Sequence, residues 1–504
     1  MSKLHATAFT VTALATVYIG SILAQTSSSG LKAGDSAVVV SDTAPALIGN
    51  EIIAQLKKGE HVRVVEVRES WAGVEFNAGG QTRTGWVEQK HLQKTSVATP
   101  PPVPAPTTPT SPLPEKSGEW TQWRGPNRDG KSPDVGLLKT WPQGGPPQGW
   151  RATGIGVGYS SVAVSNGTVY ISGDIGDSLM LTALDTMGKK KWQVRHGPSW
   201  NTNPAGSRGS PVVDSGRVYL LSAQGLLNCY DAPTGAGVWQ VDLKRDFGGV
   251  QEQWGYSESP LIYGNLLIVT PGGRNCIVAL NKATGQPVWG STGLADTAHH
   301  ASAIAVEFQG LPMIVQMLKG GMVAADARNG RFLWRCARAV GGAACASPVY
   351  SNGYCFGATG YNNGGACVRL QAVGGTVQAQ PLWETKDMIC HHGGYVIHDG
   401  YIYGNHLEGW SCLELGTGRV MWNARGVGKG SLCFADGMLY TFSERGGQVG
   451  LVQATPQGFQ QTGQFAVSGQ GQSWAYPVVI GGRLYLRYGD NLYCYDVRGA
   501  DFKS

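Results

Sequence analysis

At 207–243 the chain reads SRGSPVVDSGRVYLLSAQGLLNCYDAPTGAGVWQVDL, at 256–290 YSESPLIYGNLLIVTPGGRNCIVALNKATGQPVWG, and at 474–499 WAYPVVIGGRLYLRYGDNLYCYDVRG. Each is one sentence with drifting spelling. A short apolar strand meets a glycine-containing turn. A second strand rich in Tyr, Leu and Val follows, then another turn and a third strand ending in Asp or Asn. The first two copies continue through a Thr-Gly turn to a Trp. Several strands repeated every 40–50 residues or so predict a β-propeller.

The Trp after each turn counts the copies: Trp192, Trp239, Trp289, Trp334, Trp383 and Trp422. Trp150 stands ahead of them with no inner strands before it. Two copies follow, 430–466, with Phe459 or Phe465 in place of the Trp, and 473–499, which has no outer strand. The orphan and the incomplete copy complement one another. Joining them closes a ring and leaves no sheet edge unpaired. The reading is an all-β chain with an eight-bladed propeller over 118–499, closed by the strand around Trp150. The Trp rings are expected between adjacent blades. With 74 glycines and 15% charged residues the chain has the turn-rich composition this fold needs, and little room for helix.

Three segments precede the ring. Residues 1–24 carry Lys3 and His5, then an apolar stretch ending Ile22-Leu23-Ala24. They read as a cleaved secretory signal, with an uncleaved anchor as the alternative. No membrane span is expected after cleavage, and export to the periplasm or cell envelope follows. Residues 31–95 alternate as HVRVVEVRES and WAGVEF, then QTRTGWVEQKHL. The turn Lys57-Lys58-Gly59-Glu60, Trp71 and the strand Gly85-Trp86-Val87 resemble the bacterial SH3-like domain. That resemblance implies a small barrel that binds a cell-wall component or envelope protein, or one that is only a spacer. Residues 96–117 are rich in Pro, Thr and Ala and predict an extended linker.

The net charge of +6 is dispersed, with no basic run interleaved with aromatics, so nucleic acid is not an expected partner. Of the ten cysteines, Cys229, Cys276, Cys412 and Cys494 recur at or near one repeat position, where a small apolar side chain suits the core. Cys355 and Cys367 are the one pair placed to bond, and free thiols are the favoured reading there. No two cysteines are adjacent.

The opening Trp120-Thr-Gln-Trp-Arg-Gly-Pro-Asn-Arg-Asp-Gly130, the D-A-x-T-G-x-x-x-W turns, Gly428-Lys-Gly-Ser-Leu432 and Ser443-Glu-Arg-Gly446 carry a further resemblance. Over about 118–499 the chain resembles the PQQ-like repeat propellers. These include quinoprotein alcohol dehydrogenases, outer-membrane-assembly scaffolds and exported PQQ-binding-like proteins of the planctomycete type. Catalytic and non-catalytic members share the repeat. The dehydrogenases imply calcium on Glu and Asn or Asp oxygens, an Asp base, a Trp on the quinone and a vicinal disulfide. This chain lacks the Cys-Cys pair, and its acids, such as Asp185, Asp231 and Asp326, sit in repeat turns.

The repeat register puts two sets of loops on one face of the channel. Loops entering the innermost strands carry Tyr159, Ser207-Arg208, Trp254 to Glu258, His299-His300, Cys345, His391-His392, Lys429 and Trp474. Loops joining second and third strands carry Asp174, Gln224, Arg274, Lys319, Tyr361-Asn362, Asn405-His406, Glu444-Arg445 and Asp490. Polar side chains converging on a mouth predict a ligand site. Arg208, Lys429 and Arg445 are the candidate anion binders, against a reading as partners of Glu258 and Glu444. Trp474 is the candidate apolar wall, and Trp254 reads rather as interblade packing. His300, His392, Glu258 and Glu444 are the candidate acid–base groups, although no catalytic set is assignable. No metal ligand set is assigned, and no P-loop, nucleophile elbow or dinucleotide fingerprint occurs.

The resulting expectation is an envelope binding or scaffold protein. Its propeller takes a partner or a small anionic or sugar-like ligand, and no cofactor is expected. A PQQ- and calcium-dependent oxidoreductase and a sugar-active enzyme using the His-rich mouth are the alternatives.

Overall fold

The computed structural model describes residues 30–49, 51–78, 81–94, 118–338 and 342–503. The signal at 1–24 and the linker at 96–117 lie outside the described residues. The chain divides into two compact units, Met1–Pro109 and Thr110–Ser504. No helix of the described residues is long and apolar enough to cross a membrane.

In the first unit, seven strands between Ser36 and Lys94 form a single sheet. The strand His61–Arg68 shows why. Val62 and Val64 turn inward while His61 and Arg63 face out, the period-two pattern of a strand with one covered face. Val62 and Val64 join Ala37, Val39, Leu56, Val74, Phe76 and Val87 in one core.

The second unit holds eight consecutive four-stranded antiparallel sheets, each a meander from the channel outward; one gains a fifth, parallel strand. The second blade, Val212–Asp214, Arg217–Leu221, Leu226–Asp231 and Gly237–Asp242, is representative. In the last blade the fourth strand is Gln148–Ala152. It pairs beside Asn491–Asp496 with Trp150 opposite Cys494, so the ring closes as the orphan strand predicts. The one α-helix among the described residues, Leu243–Phe247, is a single turn capped by Asp242.

The repeated Trp and the repeated Thr-Gly turn are two halves of one interblade contact. Trp192 Nε1 donates to Ala232 O at 3.1 Å, Trp239 to Lys282 O at 3.2 Å, and Trp383 to Leu415 O at 3.0 Å, each in the following blade. Each indole lies against that blade's turn glycine. A Cβ on Gly235 or Gly285 would come within 2.8 Å of the ring, and both glycines have positive φ. Any side chain there is excluded by backbone and by neighbour.

The seventh blade corrects one expectation. Its register position for Trp is held by neither Phe459 nor Phe465 but by Gly463, opposite Leu451. Trp141, from the segment ahead of the ring, fills the space: a Cβ on Gly463 would meet its side chain at 2.8 Å. Phe465 packs edge-on to Trp141, and Phe459 packs on Trp422.

A belt of serines lines the channel. Ser161 N donates to Ser210 Oγ, Ser210 N to Ser259 Oγ and Ser259 N to Ser302 Oγ, at 2.8, 3.0 and 2.9 Å. Tyr476 N donates to Ser161 Oγ at 2.8 Å, carrying the belt from the last blade to the first. The ten cysteines are free thiols. Cys229, Cys367, Cys412 and Cys494 each sit opposite an outer-strand Trp; Cys276 lies just ahead of its strand.

Candidate functional site

Residues 119–134 plug the channel. Trp120 bridges to Val164 of the first blade, and Thr121 O accepts from Val213 N of the second. Arg128 is wholly buried and donates to Ser259 O and Pro260 O, both at 2.8 Å. Arg124 donates to Tyr395 O of the sixth blade. Lys131–Ser132 add the parallel strand beside Phe434 and Ala435 of the seventh. Trp123 Nε1 donates to Ser347 Oγ of the fifth blade at 3.2 Å, and its ring meets Tyr476 edge-on at 4.7 Å.

Above Trp123 lies a cavity of about 280 Å³. Its walls come from the entering loops: Tyr159, Arg208, Trp254, His300, Cys345, His391, His392 and Trp474, with Tyr361 from a second-to-third-strand loop. Aromatic rings run along one side in contact. Tyr159 meets Trp474 at 4.5 Å, Trp474 stacks on His392 at 4.1 Å, His392 lies 3.7 Å from His391, and His391 lies 4.7 Å from Tyr361. Trp254 and His300 face each other at 5.8 Å.

Arg208 donates to Pro204 O and Gly206 O at 2.8 and 2.6 Å and lies 5.0 Å over the Trp200 ring. Among the described residues no carboxylate lies within 4 Å of it. Burial lowers its pKa from the ordinary guanidinium value; an anion beside it would offset that cost.

The histidines are held neutral. Burial, reinforced by His299, His392 and Arg208, lowers His300 to about 3. Burial, with His392 and Lys429, does the same for His391. His392 is lowered by burial despite Glu444, whose Oε2 lies 3.9 Å from its Nδ1. Glu444 itself is taken to about 2: burial alone would raise it, but His392 and Lys429 outweigh burial.

Arg208, His300, His392 and Trp474 therefore meet on one cavity. The other candidates do not line it. Glu258 is buried below, where its carboxylate accepts from Thr270 N and, at 3.3 Å, from Gln316 Nε2; burial raises it to about 7. Lys429 stands behind His391 and is paired with Glu444 at 3.3 Å. Arg445 is largely exposed, 3.9 Å from Glu444. Trp254, read as interblade packing, instead walls the cavity. Register places a loop on a face, but local partners set where each side chain points: Lys429 turns to Glu444, and Glu258 to Thr270 N and Gln316. Trp123, Tyr476 and the serine belt went unassigned in sequence. The aromatic- and Arg-rich WTQWRGPNRDG, standing outside the strand pattern, and a Ser before many inner strands were the available signals.

The lining bears on whether a calcium-bound quinone could sit here. A hard cation requires oxygen donors, and among the described residues of the wall there is no Asp, Glu, Asn or Gln.

Residues 176–424 match the family model described as outer membrane protein assembly factor BamB. No curated protein matches the sequence. Among solved structures, BamB from Moraxella catarrhalis is similar with TM-score 0.50 and 16% identity, covering 67% of this chain and 94% of that one. A quinohemoprotein alcohol dehydrogenase, ADHIIG, from Pseudomonas putida HK5 is similar with TM-score 0.50 and 13% identity, covering 76% and 81%. At these identities the solved structures speak for the fold. Residues 176–424 carry PQQ-like, BamB-type repeats, and the closed ring is an eight-bladed β-propeller.

Proposed function

We propose that this chain is a non-catalytic binding protein of the cell envelope whose channel mouth holds a small ligand with a sugar-like or flat ring and an anionic group. The observation that carries this is Arg208: a cation on the cavity wall, flanked by aromatic rings, with only carbonyls as hydrogen-bond partners. The aromatic arc from Tyr159 to Tyr361 supports ring stacking, and the guanidinium supports a charge-assisted bond to a carboxylate or sulfate. The BamB family description supports an envelope location and a protein partner. The first unit, read as SH3-like, supplies a tether to a cell-wall component or envelope protein.

Titration calorimetry of the full chain against a uronic acid, a sulfated monosaccharide and the matching neutral sugar tests this. The anionic sugars should bind more tightly than the neutral one, and Arg208→Ala should abolish the difference. Equal binding of all three, or alcohol-dependent dye reduction with added PQQ and calcium, would overturn it.

A further inference from the structure

We propose that Cys345, His391 and His392 form a binding site for a borderline or soft transition-metal ion, copper or zinc, on the cavity wall. The residues come from the entering loops of two successive blades. One donor atom from each lies within 4.8 Å of the other two. Metal–nitrogen and metal–sulfur bonds of about 2.0–2.3 Å put tetrahedral donors roughly 3.3–3.7 Å apart, so binding draws the three inward by up to about an ångström.

The rings are already held. His392 stacks on Trp474 at 4.1 Å and His391 packs on Tyr361 at 4.7 Å. Behind them Glu444 faces His392 Nδ1 at 3.9 Å, the carboxylate–imidazole relationship that orients metal-bound histidines. Lys429 Nζ lies 3.3 Å from His391 Nδ1 and 3.3 Å from Glu444 Oε1. Its charge is thus compensated, and it can turn to Glu444 alone if a metal takes that nitrogen. As the metal–sulfur bond forms, the ion displaces the Cys345 thiol proton to solvent. His300 faces the same cavity with its Nε2 buried and without a hydrogen-bond partner. A donor set of nitrogen and sulfur selects copper or zinc over calcium or magnesium.

The test uses the full chain, stripped with chelator, and metal ions alone. Zinc is titrated in competition with a chromophoric chelator, and cobalt(II) serves as the spectroscopic probe. The expected result is one ion per chain, with the near-ultraviolet charge-transfer band of a cobalt–thiolate bond. Cys345→Ser should remove that band and weaken zinc binding at least ten-fold. His391→Gln should weaken it comparably, with near-ultraviolet circular dichroism reporting that each variant is folded. Zinc affinity unchanged in both variants, or cobalt bound without the charge-transfer band, would overturn the site. Because no organic ligand is used, that failure leaves the sugar-binding reading standing.

Discussion

Glu444 Oε1 lies 3.3 Å from Lys429 Nζ, so this cation is neutralised by its own protein, while Arg208 has only the carbonyls of Pro204 and Gly206 as hydrogen-bond partners. The two therefore differ in what they offer an anion. Arg208→Ala should weaken binding of an anionic sugar by about 1.5–3 kcal/mol, the range of a charged hydrogen bond. Lys429→Ala should weaken it much less, and should instead lower thermal stability by exposing a buried Glu444 without its partner. Calorimetry and thermal melts on the two variants check the split. Equal loss of affinity would place Lys429 in the ligand's reach.

Ring closure rests on Trp150. Its Nε1 donates to Thr186 O at 2.8 Å, and a Cβ on Gly188, whose φ is +79°, would lie 2.6 Å from the indole. Trp150→Ala should cost about 3–5 kcal/mol, as large-to-small changes at buried aromatics do. Gly188→Ala should also destabilise, through both strain and overlap. Denaturant midpoints measure both. A neutral Gly188→Ala would mean that the closing strand moves freely.

The plug should matter to the ring as well as to the cavity floor. Arg124 satisfies Tyr395 O from inside the channel, and Trp123 ties the floor to Ser347. Arg124→Ala leaves a buried carbonyl without its donor and should cost roughly 1–3 kcal/mol. Trp123→Ala should enlarge the cavity and bind a small aromatic probe differently from the native protein. Unfolding curves and probe fluorescence distinguish the two effects.

Acid should destabilise this protein before it reaches the carboxylate range. His300 and His391 titrate at about 3 in the fold against an ordinary value of 6.5, so between these limits the unfolded chain binds more protons. Their contribution is fully present above about pH 6.5 and is lost as pH falls toward 3. Glu444, lowered to about 2, acts in the same direction from 4.5 downward. Glu258, raised to about 7, opposes this between pH 7 and 4.5, but the lowered histidines outnumber it, so urea midpoints should fall from pH 7 to pH 4. The double variant His300→Gln, His391→Gln should show a flatter profile over that interval. An equally steep profile would assign the acid sensitivity to other groups.

The fold was legible because its signature is local and repeated. A Trp, a glycine turn and an alternating apolar strand recur in most periods, and each copy must bury its faces against the next. Trp150 and the truncated last copy could be joined for the same reason: an unpaired edge has one available complement. The mouth was legible only as a set of loops. Arg208 and Trp474 were readable as residue types that suit a ligand, but nothing in the register separates them from Lys429 or Glu258. Which loop residues face the cavity depends on carboxylates and carbonyls many residues away.

The sequence by itself determined the all-β class, the number of blades, the ring closure and the face that carries the polar loops, because these follow from periodicity and from the need to pair every strand. Tertiary structure alone decided that 119–134 plug the channel, that Trp141 occupies the space over Gly463, that Glu444 takes Lys429 out of the anion site, and that Cys345 meets His391 and His392. Each of these is a contact between segments separated in the chain, and the repeat register does not set which side chains meet. Distance in space decides them, and the chain order carries no record of it.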